Sequence, residues 1–171
     1  MVVIPDKSSG QFPVERVWTW LAGVPDPAIP YISVIDLGIV RDVYWDGDQL
    51  HIITTPTWNG CPAKAQIEEA IRGVLNDHGV AHFTIESRLA PAWTTEWISE
   101  TGKQKLATAG IAPPLPIEAG WQALPLPRQK PPCPHCGLRA TRMTSAFGST
   151  LCKSMHICNR CQKPFEHFKA I

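Results

Sequence analysis

Cys133-Pro134-His135-Cys136 and Cys158-Asn159-Arg160-Cys161 are two CxxC knuckles separated by 21 residues. Four thiolates offered in pairs at this spacing suit a tetrahedral four-cysteine zinc site, each knuckle taking one edge of the metal while the chain between them forms strands. His135 and His156 neighbour the knuckles and are alternative ligands. Three disulfides are the competing use of six cysteines, but CxxC pairs in a chain with no secretory leader point to metal thiolates in a reducing compartment. Two thiols are left over, Cys61 and Cys152. Cys152 fits a packed thiol in a ribbon strand, a substitute for a knuckle cysteine, or a partner of Cys61 on a second metal. Neither thiol alone saturates iron. A cluster at Cys61 would need Cys152, a second copy of the chain in a homodimer, ligands from a partner, or a small thiol.

Cys61 lies in Thr54-Thr55-Pro56-Thr57-Trp58-Asn59-Gly60-Cys61-Pro62, between a predicted strand and a predicted helix, where α/β layers place ligand sites. Gly60 gives the backbone room to turn and Pro62 suits a first helical position, which sets Cys61 at the helix N-cap. Free N–H groups and the positive dipole end there would favour a thiolate. The plainer reading is a small buried apolar residue at a helix start. A thiol enzyme is a further alternative, although His51, His78 and His82 fall in no recognisable Cys–His pattern. Trp58, beside the thiol, is a candidate anchor for a protein partner. Asp26, Ser33 and Asp36 can cap helix ends or bind loop amides, or fold with Thr54, Thr57 and Gly60 around the thiol as a pocket.

These groups need a scaffold, and 171 residues suffice for one core plus a small metal-stabilised module. A net charge of +1 with 18% charged residues gives no electrostatic argument for nucleic acid or membrane surfaces, and no segment has the ~20 apolar residues of a membrane span. A cytoplasmic protein is expected. Val14, Val17, Trp18 and Leu21 recur at helical spacing behind Pro13. Strand-like runs at 39–45 and 49–55 flank Asp46-Gly47-Asp48, a hairpin sequence. A second helix is predicted over 62–76, a third strand around Phe83, Ile85 and Leu89, a short helix capped by Thr94, and another over 103–109 ending at Gly110. The order α-β-β-α-β-α contains a βαβ unit, hence an α+β fold with a small three-stranded mixed sheet and helices on one face. Residues 111–132 hold 7 of the 17 prolines and read as an extended connector on which Trp121 docks. The expected division is therefore 1–112, a linker 113–132 and a four-cysteine zinc ribbon 133–171.

The first unit resembles the MIP18 (DUF59) family, α/β proteins linked to iron–sulfur cluster assembly, through Asp26-Pro27…Pro30, Ser33…Asp36-Leu37-Gly38-Ile39-Val40 and Thr54…Thr57…Gly60-Cys61-Pro62. Pro91 to Ser99, Gly110 to Pro114, Phe147 to Lys153 and Pro164-Phe165-Glu166 look, more narrowly, like the PaaD family, D components of bacterial phenylacetyl-CoA epoxidase systems. That resemblance implies an accessory protein of phenylacetate catabolism rather than an enzyme. Its partners would be the di-iron oxygenase and the flavin and iron–sulfur reductase, one of whose centres it helps to mature. Cys61 is then the transient iron or cluster contact, with Asp26 and the Thr54/Thr57 turn shaping its surroundings. Ala28 stands where many MIP18 members carry Glu, so no carboxylate comes from that position. The chain also lacks the Glu-x-x-His pairs of di-iron bundles, a GxGxxG fingerprint and plant-type ferredoxin spacing.

Overall fold

The computed structural model describes residues 12–116 and 129–170. Helix α1 (Val14–Leu21) buries Val17 and Leu21, one turn apart on a single face, and packs Val14 and Trp18 beside them. Strands β1 (Val40–Asp46) and β2 (Gln49–Thr54) pair antiparallel around Gly47, whose φ of 59° supplies the left-handed turn that the hairpin sequence requires. Helix α2 (Lys64–Asp77) buries Ile67, Ile71 and Leu75 and carries the chain to β3 (Phe83–Ser87). Because β3 runs parallel to β2, with Ile52 opposite Ile85 and Thr54 opposite Ser87, the sheet has the order β1-β2-β3 and is mixed, as expected. Leu89 lies past the strand and is exposed.

Leu50 and Ile52 of β2, the buried faces of both helices, and Val24, Ile29, Ile32, Val34 and Leu37 of the loop before β1 form one core. Each such side chain withdrawn from water contributes about 1.5–3 kcal/mol before chain entropy is charged against it. The loop is a built element. Its Asp26 and Val34 N–H groups donate to Ile32 and Val24 carbonyls, and Trp93 Nε1 donates to Leu37 O at 2.9 Å. A 3-10 turn at Thr95–Trp97 is capped by Thr94, as the sequence indicates. Helix α3 (Glu100–Thr108) follows, starting three residues earlier than its periodicity suggests because Ser99 caps it through the Gly102 N–H.

The connector reading meets a structural finding at its start. Ile111–Ala112 forms a two-residue strand, β4, that pairs parallel with β7 (Pro164–Phe168) near the end of the chain. With β5 (Thr141–Ser145) and β6 (Lys153–Cys158) it makes a second sheet of order β4-β7-β6-β5. Residues at the predicted boundary thus belong to the sheet of the ribbon. Phe168 enters the core of the first unit, its ring 6.1 Å from that of Trp93. Trp121 and most of the connector lie outside the described residues. No described helix is long and apolar enough to cross a membrane.

Candidate functional site

The four knuckle cysteines converge. Their sulfurs all lie within 4.8 Å of one another, with Cys133 and Cys161 at 3.7 Å and Cys136 and Cys158 at 3.6 Å. A tetrahedral zinc with Zn–S bonds of about 2.3 Å places its sulfurs about 3.8 Å apart, so the site fits the metal with little adjustment. A disulfide needs about 2.0 Å, and all six cysteines are free thiols.

Both knuckles are made alike. Gly137 N–H donates to Cys133 O at 2.8 Å and Gln162 N–H to Cys158 O at 2.9 Å, and in each the residue after the second cysteine has positive φ, 76° at Gly137 and 60° at Gln162. Gln162 is the one non-glycine residue with positive φ among those described, a local strain that the closed knuckle imposes. The Cys161 N–H, on Cys158 Sγ at 3.5 Å, holds that thiol down to about 7, so it loses its proton readily and offers a thiolate to a metal. His135 and His156 are outside the four-sulfur cluster.

Cys61 sits differently from the expectation. Helix α2 starts at Lys64 with Ala63 as N-cap, so the thiol is two residues outside the cap. The reason is a preceding turn in which Lys64 N–H donates to Cys61 O at 3.2 Å and Cys61 N–H to Trp58 O at 3.3 Å. Half-buried, Cys61 lines a narrow cleft with Asp26, Thr54, Thr57, Lys64, Glu68 and Ser87, whose free space of 20 Å³ is enough for about one water. Asp26, Thr54, Thr57 and Cys61, which the sequence groups as a candidate pocket, all line this cleft. Gly60, with φ of 88°, makes the turn, and the half-buried Trp58 indole folds back toward it instead of standing in solvent.

Asp26 is buried and its Oδ1 accepts the N–H groups of Ala28 and Ile29 at 2.9 and 2.8 Å. Burial nevertheless dominates and pushes its carboxyl above the usual range. Ser87 lines the cleft although no motif in the sequence marks it. Its buried Oγ has no hydrogen-bond partner, and it stands opposite Thr54 at the end of β3, the strand end at which parallel units gather ligands. That position was the available signal.

Ser33 and Asp36 do not join the cleft. Asp36 Oδ2 accepts from Ser33 Oγ at 2.9 Å and from Lys105 Nζ, and Oδ1 accepts from Ser99 Oγ at 3.0 Å. Burial raises this carboxyl, but Lys105, Ser33 and Ser99 together outweigh it and hold the group below its ordinary value. The network pins α3 to the loop before β1, where Gly102 lets Asp36 O approach to 2.9 Å from the position a Cβ would take.

Cys152 is half-buried against the core of the first unit, 3.0 Å from Thr150 Oγ1, and burial pushes its thiol up, keeping it protonated. Among the described residues, neither Cys61 nor Cys152 joins two other ligands within metal-binding reach. The neighbouring Lys153 is almost wholly buried, paired with Glu166 at 2.9 Å, and its charge is felt by Asp26.

Residues 14–82 match a family model described as iron–sulfur cluster assembly protein, and residues 122–169 match the PaaD zinc beta ribbon domain. A protein of Escherichia coli (strain K12), provisionally named as the D subunit of 1,2-phenylacetyl-CoA epoxidase, is 37% identical over 158 residues, 92% of this chain and 93% of that protein. The chain belongs to the PaaD family. In this PaaD-family chain the two matched regions fall on the two units whose geometry is described above. The crystal structure of a DUF59 domain from Bacillus anthracis is similar to the first unit at 29% identity and a TM-score of 0.51, covering 54% of this chain and 90% of that one. A conserved hypothetical protein from Thermotoga maritima, 26% identical, aligns over 57% of this chain and 97% of its own with a TM-score of 0.49.

Proposed function

We propose that this chain is an accessory subunit of a phenylacetyl-CoA epoxidase system. It assists the assembly of an iron–sulfur or di-iron centre in the oxygenase or its reductase and does no oxygenase chemistry itself. The observation that carries this reading is the cleft that gathers Cys61, Asp26, Thr54 and Thr57 in a PaaD-family chain. A half-buried thiol, one carboxylate and hydroxyls make a weak, incomplete donor set that would touch a single iron, or one edge of a cluster lying outside the one-water cleft, and the remaining ligands come from the client, a second copy or a small thiol. The ribbon cysteines hold a structural zinc that folds the second module, 133–171, to whose sheet β4 at 111–112 adds a strand from the far side of the connector.

Cys61→Ser tests the reading. The variant should keep its zinc and its stability and lower metal occupancy in the oxygenase or the reductase when all components are produced together. Full occupancy of both without the Cys61 thiol would reject it. The fact that the four ribbon cysteines are the one cluster of three or more ligands among the described residues favours a second reading, a zinc-folded bridge between components. In that case complex assembly survives Cys61→Ser and metal occupancy is unchanged.

A further inference from the structure

The charge of the chain is unevenly placed. Residues 1–112 carry eight Lys and Arg against thirteen Asp and Glu, whereas 133–171 carry six Lys and Arg against the single carboxylate of Glu166. Glu166 is already taken by the buried Lys153. The other five cations, Arg139, Arg142, Arg160, Lys163 and Lys169, have no carboxylate partner among the described residues. Four thiolates around a divalent zinc add two negative charges and still leave the module positive.

The same module concentrates exposed apolar surface. Of seven large hydrophobic residues exposed in the described chain, four fall between Leu138 and Leu151: Leu138, Met143, Phe147 and Leu151, at 47%, 60%, 59% and 56% exposure. Met143 is on β5, the outer strand of its sheet, whose free edge pairs with no described strand. Beyond Thr141, every residue of β5 is exposed. Phe147 lies in the turn that follows, with Lys169 Nζ 4.8 Å from its ring centroid. An open edge strand beside apolar residues is a liability that proteins cover or use.

Resting on the accessory reading above, we infer that β5 and the 146–151 turn dock an acidic, partly apolar protein face on a component of the oxygenase system. Carboxylates of that face would meet Arg142 and Lys169, and its apolar centre would cover Met143, Phe147 and Leu151. Nucleic acid is the less suitable occupant, because the patch offers two aliphatic side chains and one aromatic ring, few platforms for base stacking, and the acidic first unit repels a phosphate backbone. A second copy, offering its own acidic first unit, is separated by experiment.

The experiment titrates the zinc-loaded full chain with the purified oxygenase and the purified reductase, each alone, at low and at moderate salt. One component should bind, more weakly as salt screens the cations. The pair Arg142→Glu with Lys169→Glu, and separately Phe147→Ser with Leu151→Ser, should each weaken binding by about tenfold or more while zinc content and circular dichroism stay unchanged. Arg72→Glu on α2 is the control and should change affinity little. Binding indifferent to both patch variants, or no binding to either component, overturns the docking face. So does a patch effect seen only as lost self-association in sedimentation, or equal affinity for a duplex RNA probe. The accessory reading is scored independently by metal occupancy in Cys61→Ser.

Discussion

Phe168→Ala removes a ribbon side chain from the core of the other unit. Phe168 is 1% exposed in the core cluster that holds Trp93, Ile111 and Leu106. Truncation strips roughly 100 Å² of buried apolar surface, worth about 2.5 kcal/mol at about 25 cal/mol per Å². Incomplete collapse of a cavity of about 70 Å³ adds about 1.7 kcal/mol at about 24 cal/mol per Å³. The total, about 4 kcal/mol, is a large share of the roughly 5–15 kcal/mol that stabilises a protein of this size. At about 2–4 °C per kcal/mol the melting temperature should fall by about 8–16 °C. Thermal unfolding followed by the tryptophan signal, all of whose fluorophores lie before the ribbon, reads the first unit directly. Zinc content at low temperature shows that the knuckles still form. A fall of less than about 2 °C with zinc retained would mean that Phe168 does not hold the two units together, and the coupling argument would be wrong. Trp93→Leu combined with Phe168→Ala completes a double-mutant cycle, in which neighbours should be non-additive.

Two other perturbations separate specific causes. A Cβ on Gly38 would come within 2.6 Å of Trp97 O and 2.7 Å of its Cβ at a φ of 67°, whereas one on Gly47 at a φ of 59° meets nothing within 4 Å. Gly38→Ala should cost about 2–4 kcal/mol and Gly47→Ala about 1 kcal/mol in urea denaturation, and equal costs would refute the packing argument. Burial, with a smaller contribution from His156, depresses His167 from 6.5 to about 4. Its folded-state value lies below its free value, so the unfolded chain binds the extra proton first. The contribution is complete above pH 6.5 and is lost as pH falls toward 4. After allowance for partial exposure it is worth about 1–2 kcal/mol. His167→Gln should show a flatter denaturation midpoint across that window than the native chain, and parallel profiles would reject the assignment.

What the sequence makes legible is what local chemistry decides. Helical spacing behind Pro13, Asp46-Gly47-Asp48 and the CxxC pairs each act over a few residues, and α1, the β1–β2 hairpin and the four-sulfur cluster follow from them. The start of α2 is misread because Gly60 and Pro62 are compatible with a helix at 62, while a turn through the Cys61 carbonyl delays it to Lys64. Pairing of β4 with β7 spans more than fifty residues, and two-residue Ile111–Ala112 has no periodicity to announce it. Ser33 and Asp36 bond to one another within the loop, as residues of these types can at this spacing, yet the partner Lys105 is invisible from their neighbourhood in the chain. Ser87 escapes because a lone serine at a strand end carries no motif.

The β4–β7 pairing and the Phe168 plug also set a distance. A hinge between the units would have to break backbone hydrogen bonds and expose a phenyl ring, so the thiol cleft and the basic outer edge of β5 keep one separation. On the proposed reading, a client docked at that edge and long enough to reach the cleft would meet Cys61 as an intramolecular neighbour, at an effective concentration that rigid linkage raises without any added contact at the thiol. On that reading the thiol could then bind its cargo weakly and release it quickly, because residence time would be supplied elsewhere on the molecule. Cutting the tie at Phe168 would leave every donor in the cleft in place and still slow the transfer, since the cleft would have to find its client by diffusion.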